Sequence, residues 1–219
     1  MMSLKNIYLL AYNIVSFLLW FSLTLLTITT LYRSLIIEPS PSQLLSIYYY
    51  LLPLLTATQS LAVLEVYHAT CGLVRASPLT TAIQVGGKNL VVWTVMRKFP
   101  LLVANLENGG IWGFVGCVLA WGLSEMVRYG FFVVAIARGE APAWLKWLRY
   151  SAFVVFYPPG FLSEAWLVYI CLTKAVNIGA VYRTYLGLGL MSYLPLGYIL
   201  YTHMLIQRRK VLNPRTKST

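Results

Sequence analysis

The chain contains no aspartate, and charge of either sign is scarce. Charged residues make up 11% of the 219 positions, and all six acids are glutamates (Glu38, Glu65, Glu107, Glu125, Glu140, Glu164). A soluble domain usually carries about 25% charged residues. With so few charges and 59% hydrophobic residues, the chain cannot coat a water-facing surface and reads as an integral membrane protein. Cysteine is also sparse: Cys71, Cys117 and Cys171 lie in apolar stretches and form no even framework, which excludes a disulfide scaffold. Two distant histidines, His68 and His203, and the missing aspartates offer no metal-ligand spacing. No metal and no other cofactor is therefore expected. No small-residue cleavage site follows the first apolar run, so the N-terminal segment reads as a retained helix rather than a signal peptide.

What the chain has is apolar length. A spanning helix needs about 20 mostly apolar residues, and that ruler places six, at residues 7–32, 45–73, 79–96, 111–137, 149–172 and 184–206. The expected fold is an all-α bundle of six transmembrane helices forming one domain over residues 1–219, with 207–219 as a basic cytosolic tail. Loops are marked by "RSLIIEPSPSQ", "RASP" and "RGEAPAWLKWLR". The third segment reads "QVGGKN" at its middle, so it must face protein rather than lipid. The net charge of +11 follows the same topology. Six spans put both termini on one side with ten basic residues, against five on the other, while Lys88 and Arg128 lie within helices. That asymmetry favours cytosolic termini. It accounts for the basic balance without nucleic acid and leaves some cations free for lipid headgroups or an anionic substrate.

Charge within a spanning helix costs about 2.5–3.5 kcal/mol on insertion scales and so needs a reason. Three groups stand out. Glu65 and His68, in "LEVYHATCGLVRAS", are three apart and share a helical face. They read either as a proton-handling pair or as a buried polar contact that fixes packing. Glu125 and Arg128, in "WGLSEMVRYGFF", have the same spacing, with Tyr129 next to Arg128. They form either a neutralising structural pair or one that orders a site from behind.

The third group is "RYSAFVVFYPPGFLSEAWLVYICL", residues 149–172. Pro158 and Pro159 lack the N–H groups that would bond back to Val154 and Val155. Carbonyls freed in this way are tolerated only against protein or in a water-filled cavity. The expectation is a fifth helix broken at Pro158–Pro159 beside a cavity, with Tyr157 and Glu164 on either side of the break. A phenol and a carboxyl, with no nucleophilic triad and no nucleotide loop, suit proton transfer. Elimination of water fits: one group removes a proton beside a carbonyl while another protonates the departing hydroxyl. A phosphatase reading fails on spacing. The Cys–Arg loop of tyrosine phosphatases needs five intervening residues, whereas only Gly72, Leu73 and Val74 separate Cys71 from Arg75. No inverted repeat supports a transporter.

Taken together, "LEVYHATCGLVRAS", "WGLSEMVRYGFF" and "WLRYSAFVVFYPPGFLSE" resemble the very-long-chain 3-hydroxyacyl-CoA dehydratase family, also called protein-tyrosine-phosphatase-like. The blocks keep the family's order and spacing over nearly the whole chain. The resemblance implies a six-helix protein of the endoplasmic reticulum membrane that converts a (3R)-3-hydroxyacyl-CoA to the trans-2-enoyl-CoA, the third step of fatty-acid elongation. It implies catalysis by Tyr157 and Glu164, the tyrosine that opens the family's "YPxG" block and the glutamate seven residues later, with the elongase and the reductases of the cycle as partners. Glu65, His68, Glu125, Arg128, Tyr129 and Tyr150 become supporting residues. Arg75, Lys146 and Arg149, near cytosolic helix ends, are candidates for the CoA phosphates. The alternative is a non-catalytic scaffold or lipid-binding protein that keeps the fold.

Overall fold

The computed structural model describes residues 2–176 and 178–212. Among them every regular element is helical. α1 (Leu4–Tyr32) starts at Ser3, whose hydroxyl accepts from the Asn6 amide, and runs on into a π-helical turn, Arg33–Ile37. α2 (Pro41–Leu61) and α3 (Val63–Thr70) form one segment interrupted at Ala62. α4 (Pro78–Leu90) is capped by Ser77 with proline at its first position, a pairing that serves the unbonded first-turn amides. It also continues as a π-helical turn, Val91–Met96. A short α5 (Pro100–Val103) leads to α6 (Gly110–Arg138). α7 (Ala143–Ser151) and α8 (Phe153–Lys174) form a second interrupted segment, and α9 (Ala180–Leu212) ends the described chain.

Four segments are long and apolar enough to cross a membrane: Leu4–Ile37, Pro41–Thr70, Gly110–Arg138 and Ala143–Lys174. The helical elements around the expected third and sixth spans, α4 with its π turn and α9, fall short of that measure because each carries polar residues along its length. The expected tail begins inside α9, which continues to Leu212. Arg215 and Lys217 lie outside the described residues.

α6 is the axis of the molecule, packing on α1 along one side and on α8 along the other, while α9 packs on α8 and α7. Trp20, Leu23, Tyr48, Phe114, Val118 and Leu167 are among the buried side chains that fill these seams. Helices embedded in lipid gain little from hydrophobic exclusion, so close backbone approach matters more. Gly122 lets α6 meet Thr24 of α1, and Gly116 lets it meet Ser163 of α8. At Gly116 an added Cβ would strike the Ser163 hydroxyl, with the Ser163 Cβ 3.2 Å away, so rotating the hydroxyl does not relieve it. Gly116→Val is expected to cost about 1–3 kcal/mol by overpacking, read as a lower thermal unfolding midpoint in detergent.

The expected break at Pro158–Pro159 is not there. α8 runs through both prolines, and the interruption lies earlier, at Ala152, whose carbonyl accepts from Val155 and Phe156 at 3.1 and 3.0 Å. The physical reason is placement. Both prolines are exposed on the outer side of α8, where ring bulk meets no neighbouring helix.

Candidate active site

An unbroken α8 puts its reactive residues on one face. Phe153, Tyr157, Gly160, Glu164 and Val168 follow a three-to-four residue spacing and line a single cavity of about 1280 Å³ enclosed by α1, the α2–α3 segment, α4, α6, α8 and α9. Seven residues separate Tyr157 from Glu164, a rise of about 10 Å along the axis. Space for a small reacting group is therefore present without a kink. The Tyr157 ring is held by Phe161 and Tyr201, at centroid distances of 5.7 and 5.8 Å, and its hydroxyl makes no hydrogen bond with the described residues. The Glu164 carboxyl is anchored at both oxygens. Trp121 Nε1 on α6 donates to Oε1 at 2.7 Å, and the Tyr193 hydroxyl on α9 donates to Oε2 at 3.3 Å.

Behind this pair lies a charge network. Arg128 grips Glu65 with two parallel bonds of 2.7 Å, Nη1 to Oε2 and Nη2 to Oε1, and donates from Nε to Glu125 Oε2 at 2.5 Å. Lys88 Nζ reaches Glu125 Oε1 at 2.6 Å. Two cations against two carboxylates leave the network neutral, which makes it tolerable at this depth. The Tyr129 hydroxyl donates to Glu65, and Tyr12 donates to the same oxygen at 3.3 Å. The Lys88 ammonium also lies over the Trp121 ring, 5.6 Å from its centroid, and so connects the network to the tryptophan that holds Glu164.

The sequence-derived residues distribute as follows. Glu125 and Arg128 pair directly, but Arg128 also bridges to Glu65 on α3. Glu65 and His68 share the cavity face yet bond to different partners, since His68 Nε2 meets the Tyr8 hydroxyl at 2.8 Å. Tyr150, Arg75 and Arg149 line the cavity, whereas Lys146 is exposed on α7 and does not. Arg149 lies against Phe131, Phe132 and Tyr150, with 4.4 Å from its guanidinium carbon to the Phe132 centroid. Its buried Nε meets no hydrogen-bond partner among the described residues. Cys71 caps the C-terminal end of α3, and Gly72 follows at a φ of 68°. The following amides of Leu73 and Val74 turn back to the His68 carbonyl, so this loop closes a helix end and offers no amide cradle for phosphate. Among the described residues no three His, Cys, Asp or Glu side chains converge on a metal position.

Sequence reasoning missed Lys88, Trp121 and Tyr193 as parts of this site. The lysine had a signal in "QVGGKN", a charge in an otherwise weakly polar segment, and Trp121 opens the "WGLSEMVRYGFF" block. Tyr193 had none, being one tyrosine among 16.

The family model described as "Protein tyrosine phosphatase-like protein, PTPLA" matches residues 59–214. A "Probable very-long-chain (3R)-3-hydroxyacyl-CoA dehydratase" of Schizosaccharomyces pombe is 35% identical over 208 residues, covering 95% of this chain and 94% of its own. The "Very-long-chain (3R)-3-hydroxyacyl-CoA dehydratase PASTICCINO 2" of Arabidopsis thaliana is 31% identical over 224 residues, with the same coverage of each chain, 95% and 94%. PASTICCINO 2A of Oryza sativa subsp. japonica, named for the same activity, is 35% identical over 174 residues, 70% of this chain and 73% of its own. No solved structure matches the chain.

Proposed function

The chain belongs to the protein tyrosine phosphatase-like (PTPLA) family, and from that premise we infer that it dehydrates a very-long-chain (3R)-3-hydroxyacyl-CoA to the trans-2-enoyl-CoA, the third step of the elongation cycle. The observation that carries the reading is the single face of α8 that turns a free phenol, Tyr157, and an anchored carboxyl, Glu164, into one large cavity. Elimination needs two proton transfers. One group removes the proton from C2, whose electron pair forms the C2–C3 double bond. The C3–O bond breaks as the other group gives its proton to the hydroxyl, which leaves as water. Afterwards the first group holds a proton and the second lacks one, and a transfer between them restores both. Tyr157 and Glu164 divide these roles. Trp121 and Tyr193 hold the carboxyl in place, which supplies the positioning that proximity requires. Glu65, His68, Glu125, Arg128, Tyr129 and Tyr150 shape and stiffen the walls.

Six spans follow if α4 with its π turn and α9 also cross, their polar residues turned to the cavity. The positive-inside asymmetry then puts both termini on the cytosolic side of the endoplasmic reticulum membrane. The cavity end that holds Arg75 and Arg149 faces the same side, where the polyanionic CoA stays in water. Arg75 and Arg149 both line the cavity with no carboxylate partner among the described residues, and so are both candidates for the phosphates. The elongase that makes the substrate's precursor and the reductases flanking this step are the expected partners. The test is conversion by the purified chain in detergent. Formation of trans-2-enoyl-CoA from a (3R)-3-hydroxyacyl-CoA is expected, and a folded protein that forms none is a scaffold rather than an enzyme.

A further inference from the structure

The dehydratase reading leaves the glycines of "QVGGKN" without a role, and the cavity leaves a length problem. Below Glu164, away from Arg149, α9 runs from Tyr193 down to Tyr185, eight residues or about 12 Å. At that level the cavity has a floor. The Tyr185 hydroxyl bonds the Thr94 hydroxyl at 3.0 Å, and the Tyr182 hydroxyl donates to the Thr94 carbonyl. An extended chain advances about 1.2 Å per bond, since three backbone bonds of extended peptide cover about 3.5 Å. The floor therefore admits about ten bonds beyond the reacting carbons, far fewer than a very-long acyl chain contains.

The same contact shows where the surplus goes. Thr94 and Tyr185 fix which faces of α4 and α9 oppose one another. Gly87 lies seven residues before Thr94, across the π turn, and Gly189 lies one turn above Tyr185. Both glycines line the cavity, and a Cβ added at either would meet nothing within 4 Å. Leu90 and Leu188 flank the same gap; they line the cavity and are nonetheless 53% and 63% exposed. The cavity is thus open to the outside along this seam, between a joined floor and a head end marked by Arg149, whose Nε has no hydrogen-bond partner among the described residues.

We propose that the acyl tail of the substrate leaves the cavity sideways through the seam between α4 and α9, past Gly87 and Gly189, so that the protein sets no upper limit on chain length. The proposal rests on the dehydratase reading. It places the thioester end towards Arg149, the reacting carbons beside Tyr157 and Glu164, and the remaining carbons in lipid. Substrates short enough to end above the Thr94–Tyr185 floor do not use the seam.

The test is the ratio of kcat/KM for 3-hydroxyicosanoyl-CoA to that for 3-hydroxyoctanoyl-CoA, measured for the full chain and its Gly189→Leu and Gly87→Leu variants in lipid nanodiscs. Both changes fill open space and replace a poor helix former, so folding is retained. The ratio is expected to fall about tenfold or more in each variant, in line with steric exclusion from an apolar passage, with short-chain turnover unchanged. An unchanged ratio, or equal loss on both substrates, overturns the seam as the tail's exit. A wild-type chain that converts neither substrate overturns the dehydratase reading, and the seam proposal falls with it.

Discussion

Glu164→Gln is expected to lower kcat for 3-hydroxyacyl-CoA dehydration by about 10²–10⁴-fold, the usual contribution of one positioned acid or base. The substitution changes little else. Glutamine has nearly the same shape, and its amide oxygen still accepts the Trp121 N–H that now reaches Oε1 at 2.7 Å. The 3.3 Å contact from Tyr193 to Oε2 is lost or reversed, a minor cost beside the loss of the proton-carrying group. KM should move little, because the phosphate end of the substrate lies towards Arg149, far along the cavity. Steady-state turnover with quantified enoyl product, together with an unfolding midpoint close to wild type, would show that chemistry rather than folding was lost. A large rise in KM at constant kcat would instead make Glu164 a binding residue.

The second large effect is on stability. Arg128→Leu is expected to destabilise the fold by about 3–5 kcal/mol, the range seen when one member of a buried ion pair is removed. The guanidinium makes three charged bonds, two to Glu65 and one to Glu125. Without it, among the described residues Glu65 keeps the Tyr12 and Tyr129 hydroxyls and Glu125 keeps Lys88. The side chains concerned are 28%, 13% and 12% exposed, too little for water to screen the carboxylates fully. For a chain of this size the loss corresponds to a midpoint about 6–20 °C lower. Arg128→Lys should fall between, since an ammonium cannot make the parallel pair of bonds to Glu65 while also reaching Glu125. A midpoint unchanged in Arg128→Leu would mean that the network contributes no net stability.

Much of this site could be read from the residues, and the misreadings have physical causes. Tyr157 and Glu164 stood out because a phenol and a carboxyl seven residues apart in an apolar segment demand explanation. The explanation drawn from the prolines was the wrong one. Pro158 and Pro159 lie on the outer surface of α8, and it is the regular period of an unbroken helix that aims both side chains inward. The spacing of Glu125 and Arg128 correctly suggested their ion pair, because contacts three residues apart are local. Spacing could not reveal that Arg128 also reaches Glu65, that Lys88 completes the set, or that Trp121 and Tyr193 hold Glu164. Those contacts join positions 63, 37, 43 and 29 residues apart; the first three need α6 placed beside α3, α4 and α8, and the last needs α9 packed on α8. The glycine pair in α4 was legible as an anomaly but not as an opening, since its meaning depends on what α9 places opposite it.

The most direct measurement is a kinetic cycle in the purified protein: kcat for wild type, Tyr157→Phe, Glu164→Gln and the double variant on one (3R)-3-hydroxyacyl-CoA. Groups that share a single elimination act as a unit and are strongly non-additive. The expected result is that each single change costs about 10²–10⁴-fold and that the double variant is scarcely slower than the worse single. Full activity in either single variant, or losses that simply multiply in the double, would contradict a shared elimination by Tyr157 and Glu164.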